Sequence, residues 1–461
     1  MTLSPLLNVF RVPELRKMIF YTFILLVIFR VGTYVTVPGV DSGKLSELAA
    51  QGGLMGLINM FTGGAISNAA VFGLGVMPYI SASIIFQLLT TVIKPLEELS
   101  KEGEAGRKKI NQYTRYATVG LCIIQAIIWA RQFRSLSTPP NTFLHDWAVT
   151  GRVFGIFPVL ELLCIVAMTG GSVFLMWIGE QITENGIGQG ISLIIMAGIV
   201  ARMPSQLIPI FERVQLGGLF TFDPETMNVF TIAMFFALYV AVVMGIVAIS
   251  QGERRIPVQH AKLTRGRRIY GGQRHYMPLR VNSAGVIPII FAQSILLLPG
   301  YLFQAVSSQW PNVRLFNTLQ SMFTYGSFSW IFIYVVLIFF FCYFWTAVQF
   351  NPVRLADDMK EHGAFIPGIR PGRYTSEYLE RVMGRITLAG SAFLAIIAIL
   401  PMVLPLLITG LSQQTAYIYG GTGLLIVVGV ALDVVQKIEM HLVMRHYEGF
   451  MRGGRIKGRF T

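Results

Sequence analysis

The residues best able to do chemistry in this chain are six histidines and three cysteines, and their spacing fits no catalytic or metal-binding pattern. The histidines do not share a helical face and HExxH is absent, so no metal site is expected. They are His145, His260, His275, His362, His441 and His446. The cysteines lie in separate apolar stretches, which predicts packing residues without disulfides. They are Cys122, Cys164 and Cys342.

Two glycine-containing segments come closest to enzyme motifs, and both lack residues that the chemistry needs. GEAGRKK at 103–109 does not have the spacing of the phosphate-binding loop GxxxxGK[ST]. GIGQGIS at 186–192 does not contain the serine elbow GxSxG. No cofactor is implied, so we expect a protein that is not an enzyme and that takes its energy from a partner.

The composition places the chain in a membrane. Of its 461 residues 54% are apolar and only 13% are charged, far from the values of soluble domains. Ten apolar stretches have about 20 residues, the length that crosses the hydrocarbon core. They begin near Met18, Ala69, Thr114, Phe154, Ile187, Val229, Val286, Trp330, Ile386 and Tyr417. We expect an all-α integral membrane protein with about ten transmembrane helices.

Four of these spans, the second, fifth, seventh and tenth, are short or interrupted by Gly and Pro. In hydrocarbon the backbone must satisfy its own hydrogen bonds, so broken helices are tolerated only against protein or a watery cavity. The four spans are therefore predicted to line such a cavity.

One phrase occurs twice, as GVMPYI at 75–80 and as GVIPII at 285–290. The copies open the second and seventh spans, and because this offset of five is odd, a repeated half must be inverted. A weaker echo pairs GIGQGISLII at 186–195 with YGGTGLLIVV at 419–428. We expect two inverted five-helix halves, 1–205 and 206–461.

The basic residues predict the orientation. When loops are assigned to alternate sides, 29 of the 37 Lys and Arg residues fall on one side and 7 on the other. By the positive-inside rule, both termini are cytoplasmic. The same side carries the large loops at about 251–282 and 351–384.

Long segments of the chain are similar to those of the bacterial SecY family, the channel-forming subunits of the Sec protein translocase. The similar segments are 59–89, 174–200, 282–294, 363–372 and 419–428. The resemblance runs from the first span to the tenth. It implies a clamshell around an hourglass pore, with a lateral gate between spans two and seven. The implied function is a protein-conducting channel in the bacterial plasma membrane, for unfolded preproteins and for membrane segments.

The resemblance also implies an aliphatic ring at the waist of the pore. Stiff, branched side chains around a narrow opening exclude water and ions by dewetting, yet deform around a passing peptide. Val76 stands where the family often has Ile, and from residue type alone packing or lipid contact explains these positions too. The matching positions are Val76, Ile80, Ile187, Ile195, Ile290 and Ile426.

The Gly-rich segment at about 52–70 is too short to span a membrane. It resembles the family's plug, a small helix that blocks the closed channel. Gly63 and Gly64 would form its flexible turn. An ordinary external re-entrant loop is the alternative.

Two cytoplasmic loops resemble docking sites. Residues 251–280 carry eight basic residues and one Glu, a charge that suits ribosomal RNA, anionic proteins or lipid headgroups. Arg267 and Arg268 would lie at the tip. GAFIPGIRPG would display Arg370 on a stiff loop to the SecA motor or the ribosome. Topological marking is the alternative for the first loop, and a solvated charge without a role for the second.

Polar residues near the gate seam are predicted to hold it shut through hydrogen bonds between helices. They are Ser81, Ser83, Gln87, Asn282 and Ser294. The partners that the resemblance implies are SecE-like and SecG-like subunits, the SecA ATPase, the ribosome, signal sequences, preproteins and anionic lipid.

A secondary transporter for a small solute is the second hypothesis, because such proteins also have inverted repeats and broken helices. Transporters bury ionisable or polar groups at the midplane. The matching positions here are aliphatic, which favours the channel.

Overall fold

The computed structural model describes residues 12–49, 62–137, 143–153, 157–212, 229–260, 263–265, 268–270, 274–309, 313–324, 326–407 and 422–453. The chain forms two compact units, one of residues 1–209 with 426–461 and one of residues 210–425. The last long helix begins in the second unit and continues into the first.

The elements up to residue 212 are eight helices and a short hairpin, within the described ranges. They are α1 (Pro13–Gly32), α2 (Ser42–Ala49), α3 (Met77–Val92), α4 (Lys94–Lys101), α5 (Glu104–Leu136), α6 (Asp146–Thr150), β1 (Arg152–Val153), β2 (Phe157–Pro158), α7 (Val159–Asn185) and α8 (Gly190–Glu212).

The later elements alternate long helices with short strands. They are α9 (Val229–Gln251), β3 (Glu253–His260), β4 (Leu263–Arg265), β5 (Arg268–Tyr270), β6 (Arg274–Arg280), α10 (Ile287–Gln309), α11 (Arg314–Met322), α12 (Phe328–Gln349), α13 (Pro352–Glu361), β7 (Ala364–Phe365), α14 (Arg373–Leu407) and α15 (Thr422–Gly453).

A helix lies at each of the ten apolar stretches that the sequence picks out. In chain order these are α1, α3, α5, α7, α8, α9, α10, α12, α14 and α15. Among the described residues, four helical segments are long and apolar enough to cross a membrane, within α5, α7 and α14 and along α12 with α13. A fifth span results if α3 and α4, which meet at a bend of 99°, count as one. The protein is therefore helical, with several spans able to cross a membrane.

The repeated phrase has the same local structure in both copies. Gly75 and Gly285 adopt positive φ angles of 59° and 65°, a conformation that favours glycine. A helix begins two residues later in each case, with Pro78 or Pro288 in its first turn. Proline is accommodated there because the first backbone N–H groups of a helix have no intrahelical acceptor. The prolines of the phrase therefore start these helices and do not interrupt them.

Long helices in the first unit are tied at both ends. α5 packs on α3 and on α7. Arg115 pairs with Glu180 at 2.7 Å, and Arg131 approaches Glu161 to 3.8 Å. Because the later residue on α5 meets the earlier residue on α7, the two helices are antiparallel. Both ion pairs lie near the ends of α7, whereas Arg115 lies about three turns into α5.

In the second unit, α12 packs on α10 and α14. The two predicted cytoplasmic loops meet in a three-stranded antiparallel sheet with the order β6-β3-β7. Along β3, Ile256 and Val258 are buried while Arg255 is exposed, the alternation of a half-covered strand. The all-helical expectation is therefore incomplete, because the basic loop pairs as strands.

Candidate functional site

All six predicted ring residues are buried, with exposed fractions of 8% or less. Five belong to the first unit, and Ile290 belongs to the second. Val76 and Ile80 are one helical turn apart, since the backbone N–H of Ile80 donates to the carbonyl of Val76 at 3.1 Å. These two side chains therefore share one face at the start of α3.

Ile187 has a different environment from Ile195. Ile187 lies in the turn before α8, where its backbone N–H donates to the Thr22 hydroxyl at 3.1 Å. Its side chain forms a buried cluster with Leu15, against which Val434 and Ile438 of α15 also pack. Ile195 is eight positions further on, within α8. Packing alone accounts for Ile187, so Ile195 is the stronger ring candidate from this part of the chain.

The predicted plug is described only in its second part, because residues 52–61 lie outside the described ranges. Gly63 and Gly64 have φ angles of 65° and 94°, which side-chain-bearing residues rarely adopt. A Cβ placed at Gly63 would meet the Cα of Gly198 at 2.9 Å. Glycine at this position is thus required by backbone angle and by close packing on α8.

Two arginines that were not predicted as site residues form hydrogen bonds with the predicted plug segment. Arg30 donates to the carbonyl of Gly63 at 2.9 Å and to the Tyr34 hydroxyl at 2.7 Å. Arg202 donates to the Ser67 hydroxyl at 3.5 Å. Within the described ranges neither guanidinium forms an ion pair with a carboxylate. The sequence signal for Arg30 is its position inside the first apolar stretch, because a charge in a membrane span needs a polar partner.

The backbone of the same segment pairs with the end of α1. Val37 N–H donates to the carbonyl of Ala69 at 2.8 Å, and Val71 N–H donates to the carbonyl of Val35 at 2.8 Å. Residues 69–71 are therefore attached to the chain that follows α1, a few residues beyond the two glycines.

The polar gate residues on α3 do not share one face. Ser83 and Gln87 are four positions apart and lie on the same side of the helix, whereas Ser81 points elsewhere. Ser83 is half-buried and Gln87 is exposed.

The polar gate residues of the second unit are less exposed. Asn282 lies half-buried in the turn before α10, and Ser294 is buried on α10. Among the described residues, the Ser294 hydroxyl and the Oε1 atom of its neighbour Gln293 have no hydrogen-bond partner. Such atoms are costly to bury alone, and Gln293 is a gate candidate that we overlooked, although glutamine in an apolar helix is itself a signal.

The loop of Arg370 has a rigid base and an exposed tip. Gly368 and Gly372 on either side adopt φ angles of 85° and 96°. The Thr375 hydroxyl donates to the carbonyl of Arg370 at 3.0 Å, and Ile366 belongs to a buried cluster with Ile256 of β3. The Arg370 side chain is exposed and has no ion pair among the described residues, so it is available to an acidic group.

The predicted tip of the basic loop is only partly described. Arg268 begins β5, where it pairs with Arg265 of β4, and Arg267 lies outside the described residues. The sheet that carries this hairpin and the Arg370 loop share one hydrophobic cluster. The two predicted docking loops therefore form one structural piece.

No metal-binding cluster is assembled in the described part of the chain. No three His, Cys, Asp or Glu side chains there are placed to hold a metal ion. Cys122, Cys164 and Cys342 are buried free thiols, which agrees with packing roles.

Known proteins are similar to this chain over nearly its whole length. A model of the SecY family matches residues 70–435. The protein translocase subunit SecY of Thermotoga maritima is 41% identical over 459 residues, covering 98% of each chain. That of Streptomyces coelicolor is 42% identical over 464 residues, covering 98% of this chain and 100% of the relative.

Solved structures share the fold at lower identity. A protein-conducting channel superposes with a TM-score of 0.62 at 18% identity, over 96% of this chain and 98% of the other. Sec61 in a canine ribosome-channel complex gives a TM-score of 0.58 at 17% identity, with the same coverage. The sequence-based resemblance is thereby confirmed: the chain belongs to the SecY family.

Proposed function

We propose that this chain is the channel-forming subunit of a protein translocase in the bacterial plasma membrane. It passes unfolded preproteins across the bilayer and releases hydrophobic segments sideways into lipid. The observation that carries this proposal is identity of about two residues in five with translocase subunits over almost the full length. Both termini and the sheet-bearing loops face the cytoplasm, as the basic residues favour.

The seal of this channel is a ring of aliphatic side chains. Val76 and Ile80 contribute from α3, Ile195 from α8, Ile290 from α10 and Ile426 from α15. Burial of all five supports the assignment, and Ile187 lies at its margin. An apolar collar makes no hydrogen bonds that would hold a passing backbone, while water and ions are excluded.

The plug is the segment at 52–70, and its movement would pivot on Gly63 and Gly64. The fixed pairing of residues 69–71 supports this location, because a displaceable segment needs an anchored end. The bonds from Arg30 and Arg202 stabilise the resting position. A signal sequence that enters the gate between α3 and α10 would displace the plug.

Hydrogen bonds across that gate are proposed to hold it shut. Ser83 and Gln87 on α3 would face Gln293 and Ser294 on α10, with Asn282 at the end of the seam. The unpartnered polar atoms of Gln293 and Ser294 support the proposal, since they need acceptors or donors from another element.

The energy comes from partners. Arg370 on its rigid loop and the basic hairpin with Arg267 and Arg268 would bind the SecA ATPase or ribosomal RNA, and basic side chains would also attract anionic lipid. Small subunits like SecE and SecG would complete the complex.

Reconstitution tests the proposal. The chain with its companion subunits and SecA in liposomes should import an unfolded preprotein in the presence of ATP. Liposomes without the chain are the control. Failure to import, combined with saturable uptake of a small solute, would instead support the secondary transporter.

A further inference from the structure

Two short helices, α4 and α11, follow the two helices that begin with the repeated phrase. α4 comes directly after α3, and α11 comes after α10. They have 8 and 9 residues, and neither contains a buried residue. In both repeats, a short helix therefore follows the helix that begins with the repeated phrase.

The helix α4 separates apolar from charged side chains. Leu96 and Leu99 lie on one side, three positions apart, while Glu97 and Lys101 form an ion pair of 2.6 Å on the other. At the bend before α4, the side chain of Val92 is 79% exposed. The helix leaves the direction of α3 by 99°, so it does not prolong the span.

The helix α11 has the same division and presents its apolar side outward. Its polar side is attached to α10, since the Ser307 hydroxyl donates to Oδ1 of Asn317 at 2.6 Å. Leu315 and Met322 on the apolar side are exposed, Leu315 by 64%. Phe316 and Leu319 are half-buried, so the uncovered part of the apolar side is the surface of Leu315 and Met322.

We propose that α4 and α11 lie in the headgroup layers of the bilayer, with their leucine sides toward the acyl chains. The inference rests on the proposed membrane channel. Short helices of this composition lie in the interface with their apolar side roughly 5–10 Å below the headgroups. Lipid would cover the exposed side chains of Leu315 and Met322 and the remaining open surface of the half-buried Leu96 and Leu99.

The location of the two helices in the chain supports lipid as the occupant. Each directly adjoins an apolar helix that the sequence assigns to the membrane, at the end where that helix meets the surface. By the alternation of basic loops, the segment after α3 is cytoplasmic and the one after α10 is external. The two anchors would thus hold the ends of both gate helices, in opposite leaflets.

Depth-dependent quenching tests this placement. Single cysteines at Leu99 and Leu315 are labelled with NBD in vesicles of phosphatidylcholine and phosphatidylglycerol. Matched controls are Glu98→Cys, one position from Leu99, and Ser321→Cys, on the polar side of α11. The native cysteines are buried and label slowly. Shallow doxyl lipid should quench the leucine positions about twofold more than their controls, as interfacial burial requires.

Two results would overturn the proposal. Equal, weak quenching at both members of each pair would place the helices in water. Protection of the leucine positions from aqueous iodide without lipid quenching would mean that a protein partner covers them. Preprotein import by the unlabelled cysteine variants is measured in parallel, so that loss of channel function is distinguished from wrong placement.

Discussion

Ile290 and Ile426 lie on different helices, and both side chains are buried. Replacing either with Asn places an amide in the proposed seal, where it attracts water and costs about 1–3 kcal/mol if unpaired. We expect faster ion leak from resting proteoliposomes and passage of preproteins with defective signal sequences. Conductance and import assays measure both effects. Ile290→Val and Ile426→Val are the controls, and unchanged leak in the Asn variants would contradict the ring.

Arg370 is an exposed charge on the loop that we propose as a docking site. Arg370→Glu should abolish most SecA-dependent import, because a carboxylate repels the acidic partner that the guanidinium binds. Insertion and folding of the channel should be unchanged, as measured by its yield and melting temperature. Arg381→Glu, an equally exposed site on α14, is the matched control. Normal import by the Arg370 variant would remove this loop from the docking site.

At the scale of single residues, the ring residues and Arg370 were predicted from matching phrases, and their roles stay predictions. Arg30 and Arg202 were missed, because their acceptor at Gly63 and their contact at Ser67 belong to another stretch of chain. A sequence shows that such charges are present, but it does not show which backbone carbonyl will accept their hydrogen bonds.

At the scale of a structural element, a substitution at Gly63 tests how the proposed plug is held at its anchored end. Gly63→Ala requires a left-handed alanine, which costs about 1 kcal/mol, and adds a clash with Gly198. Gly103→Ala has the same backbone penalty, with a φ of 78° and nothing within 4 Å of the added Cβ. Melting curves in detergent should show a larger loss of stability for Gly63→Ala. Equal losses would mean that the contact with α8 can relax.

The helices were predictable from hydropathy, since each must satisfy its backbone within the bilayer. The three-stranded sheet was not, although Ile256 and Val258 are separated by one residue and flanked by the polar Arg255 and Gln259. β3 and β7 pair across about a hundred residues of chain, and no local pattern identifies so distant a partner. The second and seventh spans were predicted to be short or interrupted by Gly and Pro, and the prolines of the repeated phrase in fact lie in the first turns of α3 and α10.

For the whole molecule, the proposed gate would have to open before a signal sequence could enter. A disulfide between Ser83→Cys and Ser294→Cys should lock the proposed gate and block import, and reduction should restore it. Import of a labelled preprotein before and after dithiothreitol measures the effect. Each single variant is the control. A cross-linked channel that still imports would show that the gate lies elsewhere.

The return of α15 to the first unit has a consequence for biosynthesis. Val434 and Ile438 pack against the cluster of Leu15 and Ile187. The packing of α1 in this cluster is therefore complete only after α15 has been synthesised. Some four hundred residues separate Leu15 from the α15 residues that pack on it. Until these residues have been synthesised, one side of the cluster has no packing partner. We expect the newborn amino-terminal region to stay sensitive to protease, or to depend on a chaperone, until synthesis is nearly complete.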